Sequence, residues 1–294
     1  MRISTTYQYE NSLRDLAAAQ ERYVVAQGRV SSGKRIERMS DDWVGASLAL
    51  NLRGYRSAIE QYQKNMVTGK GYLGFTEGAL SEAAGLIRRA YELAVQGANG
   101  PTDQPGRDAM HREAVQIQSS LLAIANTRGP QGEYIFAGQA TNAQPFTISG
   151  SSLVFSGNNL DVVVEIGPNQ TIAANTPGET LFTDAWNALE SLKANLQGGN
   201  PGAIGGIDIP ALQAVRKAFD DARGTVGSRL RTIDQTGVQH ARRADELTAR
   251  ISDVEDVDLS AAVVEYRLAE TAYQAALSAA AQSFRLSLVD FIRG

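Results

Sequence analysis

The segment Gly69–Gly74 is the part of the chain that comes nearest to a nucleotide-binding motif. Its sequence, Gly-Lys-Gly-Tyr-Leu-Gly, fits the Gly-x-Gly-x-x-Gly pattern of dinucleotide sites. In those sites the pattern follows a strand, because the pyrophosphate lies where a strand turns into a helix N-terminus. Residues 55–68 have a helical pattern instead. The sequence therefore favours a bent or loosened helix segment over a nucleotide site.

Metal and acid–base chemistry have little support in the residue types. The two histidines, His111 and His240, lie far apart in segments predicted to be helical. The acidic run 253–258 lacks the glycine and the bidentate glutamate of a calcium loop, whereas carboxylates near a helix start are favoured by the helix dipole. Asp41 and Asp42 have the same explanation, as N-cap side chains before Trp43. We expect no catalytic, cofactor-binding or metal site.

Composition excludes several further classes of protein. The chain of 294 residues has no cysteine, which excludes disulfides and thiolate metal sites. Its 28 basic and 32 acidic side chains give a net charge of -4, so neither a nucleic acid nor an anionic membrane is an expected partner. No apolar run approaches the ~20 residues of a membrane span. The N-terminal residues do not fit a Sec-type export signal.

Helical periodicity dominates both ends of the chain. Apolar residues recur at steps of three, four or seven, and a period near 3.5 over such lengths indicates packed helices in a rod. The predicted helices are about 5–30, 43–96, 103–127, 184–197, 211–252 and 258–292. A chain that begins and ends in amphipathic helices can pair its termini as a coiled coil.

The middle of the chain has a different composition. Residues 131–182 are rich in Gly, Thr, Asn, Pro and Val, which favour strands and turns. Short strands are predicted at 134–138, 145–148, 170–172 and 181–182, and a β-hairpin is predicted to pair 152–155 with 160–166 through the turn 156–159. The glycine-rich stretch 198–210 is predicted to be a turn region.

These patterns predict a mainly α fold. We expect an elongated bundle of long helices, with the N- and C-terminal helices paired as a coiled coil and a small β-rich insert domain. The predicted domains are a terminal coiled-coil domain of residues 1–40 and 255–294, a helical rod of 41–130 and 183–254, and the β-rich domain 131–182.

Both ends resemble the signatures of bacterial flagellins and their relatives, in the same order and spacing. The N-terminal signature is carried by Ser32-Gly33-Lys34-Arg35-Ile36, Ser40-Asp41-Asp42, Ala46, Leu48, Ala49 and Leu52, and then by Asn65, Gly71, Leu73, Glu77, Gly78, Ala79 and Leu80. The C-terminal one is carried by Asp256, Asp258, Gln274-Ala275-Ala276-Leu277 and Ser287-Leu288. The chain is thus similar to the flagellin family.

The middle of the chain is most similar to the family's junction subunits, which link the hook to the filament. The matching residues are Gly132–Gly138, Pro145-Phe146, Leu153–Gly157, Ile166-Gly167, Gly178 and Phe182. The resemblance implies a structural, non-enzymatic subunit of an extracellular tube, with the terminal domain inside and the β-rich domain outside. It also implies export through the flagellar type III secretion channel with an export chaperone, and assembly with other hook-associated proteins and flagellin.

We expect the subunit to form a ring or helical layer through apolar faces of its terminal helices. The predicted interface residues are Leu13, Leu16, Val24, Val263, Tyr273, Leu277, Phe284, Leu288 and Phe291. Three other readings stay open: a filament-forming flagellin with a reduced outer domain, an enzyme on a helical scaffold, and a cytoplasmic coiled-coil adaptor.

Overall fold

Long α-helices make up most of the structure. The computed structural model describes the backbone of residues 2–99 and 103–293, and the side chains of residues 7, 10–99 and 103–282. The helices are α1 (Arg2–Ser32), α2 (Trp43–Asn99), α3 (Gln104–Ala125), α4 (Glu179–Gly198), α5 (Pro201–Ala203), α6 (Ile209–Glu255) and α7 (Leu259–Arg293). The predicted mainly α fold and the six predicted helices are confirmed, with small differences at their ends.

The chain divides into two compact units. Unit 1 comprises Met1–Ala58 and Arg243–Gly294, and unit 2 comprises Ile59–Arg242. The three-domain division expected from the sequence stays a prediction. No helix within the described residues is long and apolar enough to cross a membrane.

In unit 1 the terminal helices α1 and α7 pair antiparallel, as the sequence predicts. Tyr23 of α1 stacks on Tyr273 of α7 with ring centroids 5.6 Å apart, and Arg29 forms an ion pair with Glu265 at 3.2 Å. The hydrophobic side chains that the pair buries fully are small: of those described, they are Ala26, Ala262 and Ala280. The pair therefore has little apolar area of its own to stabilise it.

Unit 2 has a core of large side chains. Phe182 of α4 lies edge-on to Phe136, Phe146 and Phe219, with centroid distances of 4.8, 5.4 and 5.6 Å. All four rings are fully buried. Such edge-to-face packing adds to the free energy gained by burial. The aromatic cluster joins the long helices to the segment that carries the strands.

The small β region contains two antiparallel hairpins. The strands are β1 (Phe146–Ser149), β2 (Ser152–Phe155), β3 (Val163–Gly167) and β4 (Gln170–Ala173). β1 pairs with β2 and β3 pairs with β4, so the predicted hairpin of 152–155 with 160–166 is wrong. The turns that close the hairpins are Gly150-Ser151 and Pro168-Asn169. Gly150 (φ 62°) and Asn169 (φ 56°) have positive φ, which glycine and asparagine adopt more readily than other residues.

The segment predicted as a turn between those strands has another role. The backbone N–H of Asn158 donates to the carbonyl oxygen of Ala137 at 3.1 Å, and its side-chain oxygen accepts from the N–H of Gln139 at 2.8 Å. Residues 156–159 are therefore held against residues 137–139. These long-range hydrogen bonds have no local sequence signal.

Three further predictions about the middle of the chain are wrong. Residues 134–138 form turns with a single bridge from Tyr134 to Arg128, and 181–182 lie inside α4. The stretch 198–210 is helical for most of its length, because Asn200 caps α5 and a π-helical turn, Ile204–Asp208, leads into α6. The buried Asp208 carboxylate accepts from Ser191 Oγ at 2.5 Å and Asn195 Nδ2 at 2.8 Å, which fixes that turn.

Candidate assembly surface

The exposed side of the α1–α7 pair carries four of the predicted interface residues. Leu13, Val24, Val263 and Leu277 are exposed, Leu277 to 50%. Isolated exposed apolar residues are common, but here several large ones lie on two paired helices. These four side chains are free to contact a neighbour.

The remaining predicted interface residues differ in position. Leu16 and Tyr273 are half-buried, and Tyr273 is occupied by its stacking on Tyr23. Phe284, Leu288 and Phe291 lie outside the residues whose side chains the structure describes. The prediction that all nine form subunit contacts stays a prediction.

The structure adds exposed apolar residues that the sequence analysis did not assign to an interface. On the terminal helices, in the connection between α1 and α2, and at the start of α2 these are Val25, Leu259, Val264, Leu268, Met39, Trp43 and Val44. Trp43, the first residue of α2, is 73% exposed. The apolar residues of α7 form two stripes along the helix. A search for a second stripe in the sequence could have identified the exposed apolar residues of α7.

A tyrosine cluster fixes how α1 and α7 face each other. The hydroxyls of Tyr23 and Tyr266 lie 3.4 Å apart, in addition to the stacking of Tyr23 on Tyr273. The hydrogen bond with Tyr266 raises the pKa of Tyr23. The aromatic contacts on the inner side leave the leucine and valine side chains on the outer side.

The connections that precede α2 and α7 are rich in caps. Asp42 Oδ1 accepts from the N–H of Gly45 at 2.9 Å, and this bond, followed by the one from Arg35, lowers the pKa of Asp42. Asp258 Oδ1 accepts from the N–H groups of Ser260 and Ala261. The N-cap role predicted for Asp42 is thus confirmed, whereas Asp41 Oδ2 accepts from the N–H groups of Glu37 and Arg38. Within the acidic run 253–258, Asp258 lies at a helix start as predicted, but Glu255 is the last residue of α6.

None of the segments tested for chemistry forms a reactive constellation among the described residues. Gly69–Gly74 lies inside α2, without a preceding strand. His240 Nε2 is 2.6 Å from the carbonyl oxygen of Ile166, and its ring stacks on Tyr62. Among the residues that the structure describes, no group of three or more histidine or carboxylate side chains comes together to hold a metal ion.

Unit 2 contains a polar cavity of about 310 Å³ whose lining includes titratable side chains. The buried Glu133 carboxyl faces the Tyr72 hydroxyl, and burial together with that carboxyl raises the pKa of Tyr72 to about 12. Tyr72 is therefore a neutral phenol rather than a base. Arg128 donates to the Tyr134 hydroxyl at 2.8 Å, and the cavity pairs no nucleophile with a general base.

The chain thus combines paired terminal helices that carry exposed apolar residues with a second unit of helices and two β-hairpins. Residues 3–141 match the bacterial flagellin N-terminal helical region, and residues 209–292 match the bacterial flagellin C-terminal helical region. The chain therefore belongs to the bacterial flagellin family.

Individual members of the family and individual solved structures are similar to this chain over most of its length. The chain is 25% identical to flagellar hook-associated protein 3 of Escherichia coli (strain K12), over 98% of each chain. It is 24% identical to a flagellin of Bacillus subtilis (strain 168), over 96% of each chain. Among solved structures it is similar to FlgL of Bacillus cereus, with a TM-score of 0.61 and 25% identity over 69% of this chain and 99% of that one. It also shares the fold of hook-associated protein 3 from Legionella pneumophila, with a TM-score of 0.64 and 14% identity over 69% and 98%.

Proposed function

We propose that this chain is a structural subunit of the bacterial flagellum that links the hook to the flagellin filament. The observation that carries the proposal is the similarity to flagellar hook-associated protein 3 along nearly the whole of both chains. The likeness to the FlgL fold supports it, because FlgL of Bacillus cereus is covered almost completely. The family is a structural one, and we propose no catalytic activity.

The mechanism that we propose is burial of the exposed apolar residues of α1 and α7 against neighbouring copies. Each copy offers different surfaces to its two neighbours, and such head-to-tail contacts generate rings or helical layers. At about 25 cal/mol per Å² of apolar area, modest contacts with several neighbours add up to a stable layer. The proposed contacts are Leu13, Leu16, Val24, Val263, Tyr273, Leu277, Phe284, Leu288 and Phe291.

The remaining assignments follow from membership of the family and are part of the same proposal. Residues 1–40 and 255–294 would line the inner tube, 41–130 and 183–254 would form the rod, and 131–182 would face outward. The subunit would leave the cell unfolded through the flagellar type III channel, bound first by an export chaperone. In the extracellular flagellum it would contact other hook-associated proteins and flagellin, with no nucleic acid or membrane partner.

A filament-forming flagellin is the second candidate, and one observation favours it. The flagellin of Bacillus subtilis is 24% identical over 96% of each chain, close to the value for the hook-associated protein. The two functions differ in growth, because a filament subunit extends its own layer indefinitely whereas a junction subunit stops after one layer.

A seeded assembly experiment tests the proposal. Purified subunit is mixed with short flagellar fragments, and the length and ends of the fragments are followed by negative-stain electron microscopy. We expect the subunit to cap fragment ends without extending them. Long new filaments would instead assign the chain to the filament flagellins. Fragments that stay bare would contradict both assignments and bring back the adaptor and enzyme readings.

A further inference from the structure

The second hairpin, β3–β4, packs against the helical core of unit 2. It forms a two-stranded sheet of its own, with Ile166 buried and with Val164 and Ile172 half-buried against that core. A two-stranded hairpin alone is only marginally stable in water. The pairing of β3 with β4 therefore depends on the helices beneath it.

An asparagine of α2 binds the backbone of β3. Asn65 Nδ2 donates to the carbonyl oxygen of Glu165 at 3.1 Å, and Gln61 Nε2 donates to Asn65 Oδ1 at 3.0 Å. The second bond fixes which end of the Asn65 amide faces the strand, because the amide oxygen accepts and the nitrogen donates. One turn further along α2, a Cβ at position 69 would lie 3.7 Å from the Cβ of Val164, so the strand lies directly on the helix.

The next residue of β3 is bound from α6. His240 Nε2 lies 2.6 Å from the carbonyl oxygen of Ile166, and it donates because a carbonyl oxygen only accepts. The pairing of β3 with β4 is irregular between Glu165 and Gly167, as at a β-bulge, and a bulged residue is left out of the ladder. The carbonyl group of Ile166 is thereby available to a side chain of α6.

The part of α6 near the hairpin buries little by itself. From residue 234 to residue 242, every α6 side chain is exposed or half-buried. Two direct links to α2 lie here: Tyr62 stacks on His240 with ring centroids 5.7 Å apart, and Lys70 pairs with Asp234 at 2.6 Å, with both side chains more than half exposed. Exposed ion pairs contribute little to stability. The hairpin adds a hydrogen-bonded connection between the two helices along this stretch.

We propose that β3–β4, residues 163–173, is a strap that fastens α2 to α6. Neighbouring carbonyl groups of one strand accept a hydrogen bond from each helix, so release of the strap from either helix loosens the other. The two strands stay paired only while the strap is docked on both helices. The inference concerns unit 2 alone, so it holds or fails independently of the proposed function.

Amide hydrogen exchange of the full-length chain, read by mass spectrometry, tests the strap with two variants. Asn65→Ala removes the donor on α2, and His240→Phe removes the donor on α6 but keeps an aromatic ring beside Tyr62. Loss of either hydrogen bond should make exchange in peptides from 163–173 about tenfold faster. Each variant should also speed exchange in the opposite helix, which is 230–242 for Asn65→Ala and 60–69 for His240→Phe.

Two controls show whether the effect is specific to the strap. Peptides from the first hairpin, 146–155, should keep their rates in both variants. The matched control variant is His111→Phe, which makes the same chemical change on α3 and should leave the rates of 60–69, 163–173 and 230–242 unchanged.

An engineered disulfide tests the same contact by closing it. The chain has no cysteine, and the distance of 3.7 Å between the Cβ positions of residues 69 and 164 lies in the range of about 3.5–4.5 Å found in disulfides. We expect Gly69→Cys with Val164→Cys to form the bond under mild oxidation of the otherwise unchanged chain. Combined with Asn65→Ala, the closed disulfide should return exchange in 230–242 to the parent rate, and its reduction should raise that rate again.

Four results would overturn the proposal. They are unchanged exchange of 163–173 in both variants, a rise that stays within the hairpin and leaves the opposite helix unaffected, failure of the two cysteines to join, and fast exchange in 230–242 that persists with the disulfide closed. If Asn65→Ala fails to fold, His240→Phe and the disulfide in the parent chain still decide the question.

Discussion

Replacing Leu277 by aspartate tests the apolar side of α7 as an assembly surface. Leu277 is 50% exposed, so its buried half contributes about 1 kcal/mol to packing within the subunit. We expect the substitution to lower the stability of the monomer by about that amount. A larger effect should appear when subunits meet.

The expected size of that effect follows from the exposed half of the side chain. Complete burial of a leucine contributes about 1.5–3 kcal/mol, so the exposed half of Leu277 offers about 1 kcal/mol to a neighbour. Burying an unpaired carboxylate in its place costs at least about 2 kcal/mol. The sum, about 3 kcal/mol, corresponds to a roughly 100-fold higher subunit concentration for assembly.

The assay measures the subunit concentration at which fragments of the flagellum become capped, by electron microscopy and sedimentation. The control is Leu160→Asp, because Leu160 is 56% exposed and belongs to unit 2, outside the proposed contacts. We expect Leu160→Asp to assemble like the parent. Capping by Leu277→Asp at the parent concentration would refute the assignment of Leu277 to the interface, and equal loss in both variants would show that the effect is not specific to α7.

Three more predictions concern the fold. Phe182→Ala opens a cavity among three other buried rings and should lower the free energy of unfolding of unit 2 by about 3–5 kcal/mol, measured by chemical denaturation; an unchanged midpoint would contradict the core described here. Gly138→Ala should destabilise the chain more than Gly150→Ala in thermal unfolding, because both positions have positive φ but only the first would place a Cβ against the carbonyl oxygen of Asn158; equal losses would argue against that contact. Asp42 and Asp256 have lowered pKa values in the folded chain, so unfolded chains bind protons first as the pH falls. Their contribution to stability is present above their ordinary pKa near 4 and is lost as the pH falls further, so proteolysis of unit 1 should become faster between about pH 5 and pH 3; a constant rate would contradict this.

The helices could be predicted because their signals are local. Apolar spacing identified α1, α2, α3, α4, α6 and α7 without knowledge of what each helix packs against. The pairing of strands could not be predicted in the same way, because two segments with turn residues, 150–151 and 156–159, could each close a hairpin. The longer of the two, 156–159, was chosen as the turn. In the structure Gly150-Ser151 closes the hairpin, and residues 156–159 form hydrogen bonds with 137–139.

The helical form of 198–210 shows the same limit at another place. Its glycines and prolines are typical of a turn, but Asn200 and Pro201 start a helix and buried Asp208 accepts hydrogen bonds from α4. A fully buried carboxylate with two donors on another helix is a tertiary feature, so it overrides the local preference. The helical form of 198–210 can therefore be inferred only once the position of α4 is known.

The assembly surface could be predicted only in part, because the spacing of apolar residues does not show which of them are exposed in the folded subunit. An apolar stripe shows that a helix face avoids water, but it does not show whether the partner belongs to the same chain. Tyr273 and Leu277 lie on one stripe, yet Tyr273 packs on Tyr23 within the subunit while Leu277 is half exposed. The acidic run at the end of α6 was likewise ambiguous, because its basic partners Lys34 and Arg53 are distant in sequence.

The two units differ in how their stability is built, and this difference bears on assembly. Unit 2 buries four phenylalanine rings completely, and buried aromatic rings contribute large apolar areas to a core. The α1–α7 pair buries alanines fully and leaves large side chains such as Leu277 and Leu268 exposed. A pair built in this way gains most of its possible apolar burial only from a partner.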